Sequence, residues 1–194
     1  MKAVALFGNK RENTGKRGSR DLRNEGKVPC VLYGGDQKEP LHFYMYASDF
    51  KDIVYTPNTY KAKLDVDGEI YSAIIQQVQF HPVNDTIIHA DFLSVSEDKP
   101  VTMQIPVNIT GNSPGVRAGG KMVKKIRKMT LRGLIKDFPD FVEVKIDALE
   151  LGKSIKVQDI NLPGITILDA PANAIVSVTV TRSTKQEAAA TPAK

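Results

Sequence analysis

Residues 69–93 read EIYSAIIQQVQFHPVNDTIIHADFL. Two apolar-rich runs, Glu69–Phe80 and Thr86–Leu93, flank Pro82-Val83-Asn84-Asp85, a cluster of turn formers. β-branched and aromatic residues fill both runs, which predicts two strands. Side chains alternate across a strand, so parity sorts them. In the first run Ile70, Ile74, Val78 and Phe80 share one face; Gln77 and Gln79 take the other, with His81 just past the end. In the second, Ile88, Ala90 and Phe92 share a face, and His89 and Asp91 lie opposite. Pairing the two runs around the turn predicts a patch of Gln77, Gln79, His89 and Asp91 over an apolar floor. Amides, an imidazole and a carboxylate are the groups that read base edges. RNA helices hide their deep groove, so the patch implies an irregular or opened RNA segment.

Working outward, more strands are expected at Ala3–Phe7, Val28–Tyr33, Leu41–Tyr46 and Tyr60–Val66, with a hairpin turn at Asp65-Val66-Asp67-Gly68. Ala47–Val54 reads as one short helix started by Ser48. Six short strands with few helices predict a small barrel. Val95-Ser96-Glu97-Asp98-Lys99-Pro100 reads as a linker. Beyond it a second, mostly β block is expected, with strands at Val101–Thr110, Thr130–Leu134, Val142–Asp147 and Ala174–Thr181. The fold class is therefore mainly β: residues 1–95 as a barrel, 96–182 as a second β domain, and 183–194 as a disordered tail without large apolar residues.

Composition limits the function classes. At 194 residues and 41% hydrophobic the chain can bury a core. A single cysteine, Cys30, permits no intrachain disulfide and suits a reducing cytoplasm. The apolar start MKAVALF ends at Gly8, too short for a signal-peptide core, and no later run reaches membrane-spanning length. The net charge of +5 is unevenly spread: residues 1–35 carry +5, residues 36–95 carry −5 and the remainder +5. Segregated positive charge is the footprint of a polyanion partner.

The N-terminal charge centres on Gly15–Gly35, GKRGSRDLRNEGKVPCVLYGG. Gly15-Lys16 does not make a phosphate-binding nucleotide loop: Gly8 is misplaced for the motif, and Arg17 stands where serine or threonine is required. A short helix from Ser19 to Gly26 fits better, with Ser19 as its cap and Gly26 as its left-handed end. Arg20, Arg23 and Asn24 then share a sector, and Leu22 faces the core. Lys16 and Arg17 precede it in a glycine-flexible loop. The set suits gripping backbone phosphates; the plain alternative is a solvated basic helix.

Two further features have competing readings. His81, His89 and Asp91 resemble a His-His-carboxylate ligand set, as a metal-dependent hydrolase would need. Their spacing across a turn matches no known ligand pattern and no further histidine or cysteine supports it. No metal, cofactor, small-molecule substrate or catalytic residue is therefore expected. Lys121, Lys124, Lys125, Arg127, Lys128, Arg132 and Lys136 form a basic run without an acid inside it. It reads equally as an RNA-facing edge or a solvated strand pair.

Three spaced signatures, covering roughly Ala3 to Arg182, carry a resemblance. The first is Gly15-Lys16, Ser19-Arg20, Leu22-Arg23, Gly26-Lys27-Val28-Pro29 and Val31-Leu32-Tyr33-Gly34-Gly35. The second is Val78-Gln79-Phe80-His81-Pro82 followed by His89-Ala90-Asp91-Phe92-Leu93. The third is Pro114-Gly115-Val116-Arg117 with Gly119-Gly120, then Pro139–Val144, Gly152–Ile155, Asp159-Ile160 and Leu162-Pro163. Together they resemble the family of the 5S rRNA-binding large-subunit ribosomal protein twenty-five in its long form, the general stress protein Ctc family. That resemblance implies a six-stranded barrel binding an irregular internal loop of 5S rRNA, within the large subunit of the cytoplasmic ribosome, and a second β domain specific to long forms. It implies RNA contacts at Arg11, Lys16, Ser19, Arg20, Arg23 and Tyr33, joined by Gln77, Gln79, His89 and Asp91. Asp21, Gln77 and Cys30 depart from the family's usual arginine, aspartate and alanine. Neighbouring ribosomal proteins and ribosomal RNA are the partners expected for the second domain. A stress-induced regulator binding RNA or ribosomes transiently is the alternative.

Overall fold

The strand-forming text of the first 95 residues folds into six strands that close on themselves. They are β1 (Lys2–Lys10), β2 (Lys27–Tyr33), β3 (Leu41–Tyr46), β4 (Tyr60–Val66), β5 (Glu69–Phe80) and β6 (Ile87–Ser94). The structure is a computed structural model that describes residues 1–35 and 39–180. Around the barrel the order is β1-β3-β2-β6-β5-β4, and parallel pairing of β1 with β4 completes the ring. Every strand thus has a neighbour on each side, β1 meeting β3 only through Asn9↔Tyr44 and Lys10↔Phe43. Leu6, Val28, Cys30, Leu32, Phe43, Met45, Leu64, Ala90 and Phe92 fill the interior. Burial pushes the Cys30 thiol well above its ordinary pKa, so it stays neutral.

Two bulges alter the simple parity. The β5–β6 register passes from Ile75↔Phe92 to Gln77↔Asp91, leaving Gln76 unmatched. Before it Tyr71, Ala73 and Ile75 face the core; after it Val78 does. Ile70 and Phe80, assigned by parity to the apolar face, are instead 75% and 42% exposed. A second irregularity passes from Gln79↔His89 to Phe80↔Ile87, so Ile87 rather than Ile88 joins the core.

Helix starts also differ from expectation. The first helix, α1 (Lys16–Asn24), begins three residues before Ser19, with extended Gly15 at its cap position. Ser19 lies inside the first turn, its N–H donating to the Gly15 carbonyl at 3.1 Å. Nothing in Lys16-Arg17 resists helical geometry, so the helix extends back to the glycine. Gly26 takes the expected left-handed conformation at φ +74°. Leu22 is only half-buried. Ala47–Phe50 forms a 3₁₀ turn leading into α2 (Lys51–Val54); Ser48 bonds Asp49 at 3.0 Å and caps nothing. Buried Phe50 and Ile53 fix this segment.

The chain forms two compact units, one of residues 1–101 with 134–140, the other of residues 102–133 with 141 onward. Leu134–Asp140, read from sequence as part of the second block, thus groups with the first; its Ile135 and Phe138 are buried. The second unit uses β7 (Val101–Thr110), β8 (Lys121–Lys124), β9 (Lys128–Gly133), β10 (Val142–Lys145), β11 (Ser154–Lys156), β12 (Thr166–Ile167) and β13 (Ala174–Thr179). Their sheets run β10-β7-β9-β12 and β11-β13-β8. Residues 183–194, expected to be a disordered tail, and the end of the strand expected through Thr181 lie outside the described residues. Among the described residues no helix is long and apolar enough to cross a membrane.

A short helix, α3 (Pro114–Arg117), sits flush on the chain near Leu151: a Cβ added to Gly115 would lie 2.6 Å from Glu150 and Leu151 backbone atoms. Backbone cannot move aside as a side chain can. Gly115→Ala is expected to destabilise the second unit by about 1–3 kcal/mol, read as a lowered denaturation midpoint.

Candidate nucleic-acid interface

Strand pairing assembles the polar patch. Gln77 lies opposite Asp91, and Gln79 opposite His89. The bulge at Gln76 realigns β5 so that Gln77 and Gln79 point outward beside their partners. Ala90 and Phe92 point inward and fix β6 from below. His89 Nδ1 lies 2.7 Å from Asp91 Oδ1, both side chains about one-quarter exposed. The contact is close without the alignment of a good hydrogen bond, since neither atom has one. The contact sets the two side chains next to each other on the outer face.

The same face continues across the barrel. Asp91 stands opposite Val31 on β2, and Val31 opposite His42 on β3. Tyr33 lies two residues along from Val31; burial raises its hydroxyl pKa, and the Asp91 charge acts the same way. The phenol therefore stays protonated and able to donate.

The α1 arginines divide into fixed and free. The bulge at Ile88 releases its carbonyl from the ladder, and Arg23 Nε donates to it at 3.0 Å. This hooks the helix to β6 beside His89. Arg11, following β1, donates from Nη1 to Ser19 Oγ at 3.1 Å, while its buried Nε has no partner. Burial lowers the Arg11 pKa, and the Arg23 charge lowers it further. Two guanidinium groups close enough to feel each other favour an anion between them. Lys16 and Arg20 stand exposed on α1. Glu25 pairs with Lys27 at 2.7 Å.

Arg11, Lys16, Ser19, Arg20, Arg23, Tyr33, Gln77, Gln79, His89 and Asp91 therefore lie on α1, its approach, or the outer faces of β2, β5 and β6. Sequence reading missed His42, Tyr44, Tyr46 and Lys27 on the adjoining β2–β3 surface, although His42, Tyr44 and Tyr46 share strand parity. His81 has a local job: its Nδ1 accepts from the Val83 and Asn84 N–H groups at 3.3 and 3.4 Å, closing the β5–β6 turn. Among the described residues no cluster of metal-ligating side chains occurs.

The basic run of the second block divides. Lys121 to Arg132 belongs to the second unit, while Lys136 belongs to the first and pairs with Glu97 at 2.6 Å. Lys124 donates its ammonium to the Val107 carbonyl. Lys121, Lys125, Arg127, Lys128 and Arg132 are exposed.

Two family models match the chain. Residues 6–92 match the ribosomal L25p family, and residues 100–182 match the C-terminal domain of ribosomal protein TL5. A large ribosomal subunit protein bL25 of Cytophaga hutchinsonii is 45% identical over 194 residues, all of both chains. That of Amoebophilus asiaticus is 42% identical over 97% of this chain and 95% of its own. That of Bacteroides fragilis is 38% identical over 98% and 96% respectively. The closed barrel, its signature residues and this full-length identity together show that the chain belongs to the ribosomal L25p family, in the form that carries a TL5-type C-terminal domain.

Proposed function

We propose that the chain is a structural constituent of the large ribosomal subunit in the cytoplasm, and that its barrel binds an irregular internal loop of 5S rRNA. It is a structural ribosomal protein and not an enzyme. The observation that carries the RNA reading is the pairing of Gln77 with Asp91 and Gln79 with His89, beside arginines fixed by Ile88 and Ser19. Arg11, Lys16, Arg20 and Arg23 serve the phosphates, with Ser19 steadying Arg11. Tyr33, Gln77, Gln79, His89 and Asp91 address bases and sugars. Positioning thereby falls to the cations and specificity to the polar patch. Residues 1–95 supply this interface. Residues 96–182 contact neighbouring ribosomal RNA or proteins, with Lys121–Arg132 as the segment suited to phosphates.

Asp91→Ala is the direct test. It removes the one carboxylate of the patch and frees the His89 ring, while the phosphate contacts remain. The affinity ratio for 5S rRNA over tRNA is expected to fall about tenfold, with little change in affinity for random duplex RNA. Gel shifts at one fixed salt concentration read this ratio. Equal wild-type affinity for 5S rRNA, tRNA and random duplex would defeat the specific-recognition reading. Stoichiometric retention on large subunits washed in moderate salt separates a permanent constituent from a transient visitor.

A further inference from the structure

On β3 the side chains of His42, Tyr44 and Tyr46 point outward, while Phe43 and Met45 are buried in the core. Register sets Lys27 opposite Tyr46 and Pro29 opposite Tyr44. The Lys27 ammonium stands over both rings, 5.1 Å from the Tyr44 centroid and 5.9 Å from that of Tyr46. Glu25 holds the same ammonium at 2.7 Å. The lysine is thus clamped between a carboxylate and two rings, and the rings are clamped by the lysine. Tyr46 nevertheless keeps 54% of its surface open to solvent.

The location gives this cluster its meaning. β3 adjoins β2 on the side away from β6. Helix α1 packs on β2, and the Ala47 N–H donates to the Gly26 carbonyl at 3.1 Å, tying the end of β3 to the turn after α1. The Gln77–Asp91 patch and the tyrosine pair therefore flank the arginine-bearing helix on opposite sides. An RNA held by the α1 cations passes one flank or both. An exposed aromatic ring beside a cation, already fixed in orientation, offers the two things an unstacked nucleotide needs: a π surface for the base and a charge for its phosphate. Pre-ordered rings lose little rotamer freedom on stacking.

We propose that Tyr44 and Tyr46, held by Lys27, form a stacking platform for an unpaired RNA base, extending the interface across α1 to the far flank. This rests on the RNA-binding reading above. The competing view is a lysine–tyrosine contact that only packs the surface. Under that view the rings affect stability and not RNA affinity.

Full-length protein and a 5S rRNA transcript test it, with gel-shift affinity, salt dependence and chemical probing of base accessibility. Tyr46→Ala is expected to weaken binding about five- to a hundredfold without changing the salt slope. Tyr46→Phe, which keeps the ring, is expected to bind as wild type does. Lys27→Ala is expected to lower the salt slope by about 1. Probing is expected to show a base protected by wild type and Tyr46→Phe and exposed with Tyr46→Ala. Thermal unfolding checks that Tyr46→Ala remains folded, and a Tyr44→Phe/Tyr46→Phe double variant gives a stacking-competent control. Wild-type affinity and unchanged protections for Tyr46→Ala would overturn the platform while leaving the α1 interface intact. Loss of 5S rRNA binding already in wild type would overturn the interface and the platform with it.

Discussion

Phe92→Ala is expected to destabilise the barrel by about 3–5 kcal/mol, the largest stability effect of any single truncation considered. Phe92 is wholly buried, with its ring centroid 5.7 Å from Phe43 and 6.5 Å from Phe50, both tilted against it. The three rings join β6 to β3 and to the 3₁₀ turn after it, so one truncation leaves a cavity touching three elements. Neighbouring rings attached to a closed barrel cannot collapse far into the gap. Urea denaturation followed by near-UV circular dichroism of the tyrosines reads the loss, since the chain has no tryptophan. Phe92→Leu keeps most of the volume and is expected to cost less than Phe92→Ala by at least half. The effect also reaches RNA binding, because Asp91 is the adjacent residue and depends on Phe92 for its place.

The second large effect concerns the helix cations. Arg20→Ala with Arg23→Ala is expected to weaken 5S rRNA binding about a hundredfold or more, each arginine contributing one charged hydrogen-bonding group. The salt slope is expected to fall by about 2, one for each phosphate contact. The two single variants are expected to differ. Arg20 is exposed and free, so Arg20→Lys should recover much of the affinity. Arg23 Nε is committed to the Ile88 carbonyl, which a lysine cannot satisfy while also presenting a fork to the RNA. Arg23→Lys is therefore expected to recover little. Equal recovery by both lysines would show that the Ile88 contact has no part in binding.

The strands were legible because their text alternates: β3, β4, β5 and β7 have the limits expected from the sequence. What strict alternation missed is where the chain departs from it. Gln76 and Ile88 are extra residues, and no composition marks them as such. They move Ile70 and Phe80 into solvent and yet leave Gln77, Gln79, His89 and Asp91 facing out together. The patch follows from short stretches close to its own residues, where parity holds; placing Ile70 requires counting through the bulge, where it does not. Ser19 misleads because a serine ahead of a helix-like run looks like a cap, whereas its hydroxyl serves Arg11. The short strands β8, β11 and β12 carry two to four residues each, too few to show a period. Tyr44 and Tyr46 read as strand text only, because their contact with Lys27 depends on β2 lying beside β3.

Closure of the barrel by β1 and β4 also sets an order of events during synthesis. The first strand made has no partner until Leu41–Tyr46 and then Tyr60–Val66 have been translated, and β2 waits for β6 on its other side. Such long-range pairing is slow to form. The arginines of α1 emerge early, but Ile88, His89 and Asp91 come last among the barrel's contributions. A nascent chain therefore carries its helix cations before it carries the polar patch. Gln77, Gln79, His89 and Asp91 come together only when the sixth strand docks, so ring closure separates making this protein from completing that surface.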